Sequence, residues 1–114
     1  MFILLCNFYY MTLFTKIIQR EIPSEIVYEQ DTIIVIKDIH PQAKTHLLII
    51  PKKEIPTIND LEEDDRELIA EMFFVAKKIA KDLGISEWYQ LRFHVWKKWW
   101  QEIMHIHLHL MSNI

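Results

Sequence analysis

The chain has 114 residues, 51% of them apolar and 25% charged, with a net charge of −3. That length suits one domain with a real core, and the acidic balance excludes a general nucleic-acid binder, which needs a basic face. The single cysteine, Cys6, excludes an internal disulfide framework and any multi-cysteine zinc site, so a reducing, cytoplasmic setting is expected.

The chain opens on "MFILLCNFYYM", which is apolar but too short to span a bilayer. It also lacks the basic region and small-residue cleavage site of a secretory signal. Met11 reads as the natural start, with residues 1–10 as an upstream extension and 11–114 as the domain; a short anchor or an added edge strand are the rival readings. "LFTKIIQREIP" carries apolar residues at 14, 17 and 18 and ends at Pro23, which predicts a short helix. "EIVYEQDTIIVIKDI" is rich in β-branched residues and predicts two strands bent around Gln30-Asp31. "THLLIIP" reads as a buried strand between Pro41 and Pro51, where proline interrupts a ladder.

A long helix is predicted from about Asp60 to Leu83. Asp60 and Glu63 have capping-box spacing. Glu62, Glu63, Asp64, Asp65 and Glu67 place negative charge at the positive end of the helix dipole, and Lys77, Lys78 and Lys81 sit near the other end. Gly84 is a natural stop. Leu68, Met72, Val75, Ile79 and Leu83 form the expected buried stripe, which Phe73 and Phe74 widen, either as further core or toward a second subunit. Two more strands are expected near 88–95 and 103–111. The order predicts an α+β domain with a mostly antiparallel sheet.

His105, His107 and His109 alternate with Ile106, Leu108 and Leu110. On a strand, alternation puts all three imidazoles on one face and the apolar residues on the other. Two chemistries fit. Imidazoles ligate zinc, but three from one strand need help from His46, His94 or Glu102 to enclose an ion. Alternatively, one imidazole attacks phosphorus while its neighbours orient it and handle protons.

"QEIMHIHLHLM" resembles the histidine-triad signature, in which histidines alternate with apolar residues after a glutamine. "DIHPQAKTHLLIIPKKEI" and "LFTKIIQREIPSEIVYEQD" are similar to two further segments of that family, in the same order. The resemblance spans roughly residues 12–112 and is nearest to the Hint-like branch. It implies a homodimer with a five-stranded, mostly antiparallel sheet per subunit, one long helix that helps pair the subunits, and a short N-terminal helix. It also implies binding of purine nucleoside monophosphates and hydrolysis of their phosphoramidates or related phosphoesters, with no metal, cofactor, nucleic acid or membrane. His107 is then the expected nucleophile, His109 the group that contacts the phosphate and assists departure, His105 the residue that orients His107, and His46 the completion of the cluster. Asp38 is expected on the ribose hydroxyls, Phe14, Ile17, Ile36 and Ile39 around the base, and Gln101 beside the phosphate loop.

The resemblance breaks at one loop. The family pattern there is close to "GYQLRFNVGKKGGQEI", whereas this chain reads "WYQLRFHVWKKWWQEI". All four tryptophans, Trp88, Trp96, Trp99 and Trp100, stand where the family prefers glycine, while average usage of about 7% would give roughly eight glycines and the chain has only Gly84. His94 replaces an asparagine, Glu102 a serine or threonine, and Ser112 a glycine. Glycines at such a loop let backbone N–H groups approach a phosphate closely, so His94, Trp100, Gln101 and Glu102 carry the expected phosphate contacts in altered form. One cause accounts for four identical exchanges: UGA codons of a bacterial lineage that reads them as glycine, translated as tryptophan. The alternative is a catalytically impaired nucleotide-binding or interaction protein whose tryptophan loop closes the phosphate site.

Overall fold

The computed structural model of the protein describes residues 12–95 and 103–114. The reading of residues 1–10 as an extension, and the phosphate-loop residues Trp100, Gln101 and Glu102, lie outside the described residues.

Helix α1 (Leu13–Ile18) starts at Thr12, whose hydroxyl accepts from the Thr15 amide. Phe14 and Ile17 form its buried face. Arg20, at φ 64°, ends the turn, and Pro23 cannot continue it. Strands β1 (Ile26–Glu29) and β2 (Ile33–Lys37) form the expected hairpin, closed by the Gln30 amide on the Ile33 carbonyl. Strand β3 (Thr45–Pro51) follows, buried along almost its whole length. With β4 (Gln90–Arg92) and β5 (Leu108–Ser112), the sheet has the order β1-β2-β3-β5-β4 and is antiparallel throughout.

The central strands β2, β3 and β5 are buried on both faces, and the edge strands β1 and β4 are largely exposed. On one face, Ile33, Val35, Leu47, Ile49, Leu108 and Leu110 pack against helix α2 (Arg66–Asp82). On the other, Ile34, Ile36, Leu48 and Ile50 pack against Phe14 and Ile17 of α1. Burying such side chains contributes roughly 1.5–3 kcal/mol each. The antiparallel register places Leu48 opposite His109 and His46 opposite Met111, so both histidines belong to the α1 face.

Three sequence expectations need correction. The long helix begins at Arg66 rather than Asp60, because two single-turn 3₁₀ segments precede it. Thr57 caps the first with Asp60, and Glu62 caps the second with Asp65, so Asp60 and Glu63 are not the pair that forms a box. The buried stripe is Met72, Val75, Ala76, Ile79 and Ala80; Leu68 is half-buried and Leu83 exposed. Alanines at 76 and 80 let the helix backbone approach the sheet closely. Leu83 is left outside because the helix stops there, with Gly84 at φ 73° and Gly84 and Ile85 donating to the Lys81 and Ala80 carbonyls.

The last two strands are shorter than expected, and only His109 of the triad is a strand residue. His105 and His107 precede β5, where the Ile106 amide turns to the Ile55 carbonyl instead of a sheet partner. Alternation survives all the same: Ile106 joins the α2-side core and the histidines face α1.

Candidate active site

The site lies on the α1 face, where β3 and β5 run side by side. His46, on β3, receives the Gln42 amide on Nδ1 at 3.0 Å. Its proton therefore sits on Nε2, which points to His109 Nδ1 at 2.9 Å and to the Asp38 carboxylate at 3.3 Å. His109 Nδ1 accepts that proton's hydrogen bond, so in the neutral ring the remaining N–H is at Nε2. This atom is buried and has no hydrogen-bond partner among the described residues. A buried unpaired donor costs about 1–3 kcal/mol, and an acceptor on a ligand removes that cost.

His105 is wholly buried. Its Nε2 donates to the Pro51 carbonyl at 2.7 Å, leaving Nδ1 as acceptor for the Thr12 hydroxyl at 2.9 Å. The backbone carbonyl of His105 in turn receives Nδ1–H of His107 at 2.8 Å. That bond fixes the His107 tautomer, and Nε2 of His107 carries the lone pair. Phe14 meets His107 edge-on at a ring separation of 5.0 Å, and the His107 and His109 rings are 4.9 Å apart.

Burial lowers the proton affinity of all four clustered histidines. For His46 the Asp38 carboxylate partly opposes that effect, while Arg92 and His94 add to it. For His105 the Pro51 carbonyl opposes it. For His107 burial is opposed by the His105 carbonyl and reinforced by His94 and His105. His109, surrounded by His107, His94 and His46, is pushed down to about 3. The cluster is therefore neutral at pH 7, and an uncharged imidazole is the nucleophilic form.

Asp38 also accepts the His40 amide at 2.8 Å, an Asx turn that holds its carboxylate beside His46. Phe14, Ile17 and Ile36 are buried together on this face, whereas Ile39 is 79% exposed and stands apart from them. His94 stacks on His109 at 4.5 Å. Asp38, His46 and His109 offer three ligand atoms within 4.8 Å of one another. The His46–His109 hydrogen bond ties two of those nitrogens together, and a cation must break it to bind. Trp88 is half exposed, its φ lies outside the left-handed region, and its carbonyl accepts the Ser112 hydroxyl at 2.6 Å. Nothing in the backbone at 88 demands glycine.

Sequence reasoning missed Thr12 and the Pro51 carbonyl. Thr12 had a visible signal, since threonine before "LFTKII" is a helix cap; its reach to His105 had none.

A family model described as scavenger mRNA decapping enzyme C-term binding matches residues 11–114. The chain belongs to the histidine triad family. It is 48% identical over 103 residues to the purine nucleoside phosphoramidase of Escherichia coli strain K12, covering 90% of this chain and 87% of that protein. Among solved histidine triad structures, the HIT family hydrolase of Legionella pneumophila Philadelphia 1 superposes with a TM-score of 0.85 at 52% identity, covering 90% of this chain and 92% of that one. The HIT family hydrolase of Clostridium thermocellum also has a TM-score of 0.85, at 39% identity and 92% coverage of both chains.

Proposed function

We propose that this histidine triad hydrolase cleaves purine nucleoside phosphoramidates or related phosphoesters through a nucleotidyl group carried on His107. The observation that carries the reading is the His107 Nδ1–H bond to the His105 carbonyl at 2.8 Å, which leaves Nε2 unprotonated in a neutral site. Nε2 attacks phosphorus, the bond from phosphorus to the leaving nitrogen or oxygen breaks, and the departing group takes a proton from solvent. Water then attacks the nucleotidyl-imidazole, the P–N bond to His107 breaks, and a nucleoside monophosphate is released. His109 contributes its Nε2–H as a hydrogen-bond donor to the phosphoryl or departing group. His46, oriented by the Gln42 amide, holds His109 in that tautomer.

Phe14, Ile17 and Ile36 supply an apolar wall for a purine, with Ile39 at its rim, and Asp38 offers a carboxylate for ribose hydroxyls. His94, stacked on His109, borders the phosphate, while the expected contacts of Trp100, Gln101 and Glu102 lie outside the described residues. The chemistry needs no metal or cofactor.

The working unit in this reading is a homodimer. Phe73 and Phe74 expose apolar rings on α2, between an acidic first turn and a basic last turn. Two copies of α2 packed antiparallel cover the rings and set acid against base.

The test is turnover of an adenosine phosphoramidate by the unaltered protein and by His107→Ala. The variant is expected to lose turnover while still binding adenosine monophosphate. Equal turnover by both proteins rules out the nucleotidyl-histidine.

A further inference from the structure

Helix α1 carries the proposed base wall and touches the triad at its first turn. The backbone-to-backbone hydrogen bonds described for residues 12–22 all stay within that segment, so side chains tie α1 to the sheet. Six residues are too few to hold a helix unaided. Phe14 and Ile17 pack on Ile34, Ile36, Leu48 and Ile50, and Arg20 pairs with Glu29 beyond the far end. Thr12 makes the polar ties at the near end: its amide donates to Glu54 Oε1 at 3.3 Å and its hydroxyl to His105 Nδ1 at 2.9 Å. The lysines beside Glu54 are engaged elsewhere, Lys52 with Glu29 and Lys53 with Asp65. Glu54 itself sits between two carbonyls that hold the segment before β5, Pro51 on His105 Nε2 and Ile55 on the Ile106 amide. Its charge opposes the effect of burial on the His105 ring.

The Thr12 hydroxyl has one proton and two acceptors within reach, His105 Nδ1 at 2.9 Å and Thr15 Oγ1 at 3.1 Å. A shift of α1 that lengthens the first contact leaves the second available inside the helix. The bond to His105 is therefore kept only while α1 is seated. Phe14, edge-on to His105 and His107 at ring separations of 5.8 and 5.0 Å, belongs to the same turn. We propose that α1 couples base recognition to catalysis: a purine seated on Phe14 and Ile17 holds Thr12 against His105, whose carbonyl holds the His107 nucleophile. Thr12 and Glu54 are positioning residues in this arrangement. Part of the binding energy of the base is then realised as kcat rather than as affinity alone. The inference rests on the nucleotidyl-transfer reading above.

The measurement is kcat and KM for adenosine 5′-phosphoramidate and for 1-O-methylribose 5-phosphoramidate, which keeps the scissile bond and lacks the base. The proteins are the full chain, Thr12→Val, Thr12→Ser and Glu54→Ala. With the unaltered chain the base is expected to raise kcat by about tenfold, the size of one net hydrogen bond, besides lowering KM. Thr12→Val is expected to bring the kcat ratio of the two compounds near one while KM still favours adenosine. Thr12→Ser is expected to restore the ratio, and Glu54→Ala to lower it part-way. A purely structural role for Thr12 lowers kcat for both compounds alike, and a ratio unchanged in Thr12→Val overturns the coupling. A ratio unchanged in Glu54→Ala removes Glu54 from it. Equal kcat for both compounds with the unaltered chain removes the coupling alone, whatever the variants do. Turnover of neither compound by the unaltered chain removes the nucleotidyl-transfer reading and the coupling together.

Discussion

His46 and His109, 63 residues apart in sequence, share one hydrogen bond: Nε2 of His46 lies 2.9 Å from Nδ1 of His109. The Gln42 amide on the far nitrogen of His46 gives that bond its direction. The outcome is a buried N–H on His109 with no described partner, aimed from the sheet face where a substrate would sit.

If that N–H donates to the reacting group, His109→Ala should reduce kcat for an adenosine phosphoramidate by about 10²–10³-fold, the usual size of a lost preorganised donor. Adenosine monophosphate binding should weaken far less. Steady-state kinetics with titration of the monophosphate checks both numbers, and an unaltered kcat would remove His109 from the step.

Thr12 joins α1 to the segment before β5, since its hydroxyl caps the helix and meets His105 Nδ1 at 2.9 Å. Thr12→Val keeps the shape and removes both bonds. The expected cost is about 1–2 kcal/mol of stability, with a fall in kcat because His105 is less firmly held behind His107. Thr12→Ser should restore both properties. Denaturant unfolding and kinetics on the three proteins decide.

Acid should destabilise the fold well above the carboxylate range. The four clustered imidazoles take protons near 6.5 in the unfolded chain and resist them when folded, His109 down to about 3. Below pH 6.5 the unfolded state therefore binds more protons, and stability falls by up to about 1.4 kcal/mol per pH unit for each proton withheld. Asp65 and Glu29, whose carboxyls are held below their ordinary range by Lys53 and by Lys52 with Arg20, add to the loss at lower pH. The urea midpoint should be lower at pH 5 than at pH 7.5. For the same reason the acid limb of kcat/KM should lie below 6.5.

Phe74 is 68% exposed on α2. Phe74→Glu should cost little in folding and should shift the protein from dimer to monomer in sedimentation or size-exclusion measurements. A variant that stays dimeric places the subunit contact elsewhere.

The four tryptophan positions can be read directly. If UGA codons underlie them, the intact mass of protein from the native source should be lower than the written sequence requires by four tryptophan-to-glycine exchanges. UGG codons at these positions end that explanation. The written chain should then be tested for adenosine monophosphate binding, because its loop carries bulk where the family pattern carries glycine.

Sequence by itself determined the family, the β1–β2 hairpin, the buried β3, the Gly84 stop and the facing of the triad. Each depends on neighbours a few residues apart, and the two-residue alternation of His105, His107 and His109 with Ile106, Leu108 and Leu110 survived even where regular strand did not. The start of α2 misled because Asp60, Glu62, Glu63 and Asp65 offer overlapping caps, and only the extended backbone at Leu61 and Glu62 selects two short turns before Arg66. Tertiary structure decided the chemistry of the histidines. Three identical side chains take the proposed parts of nucleophile, donor and support because each ring meets a different partner: the His105 carbonyl, His46, and the Pro51 carbonyl with Thr12. An imidazole's role follows from which nitrogen keeps its proton. Here the partners that settle that come from strands and turns that only the folded sheet register brings together.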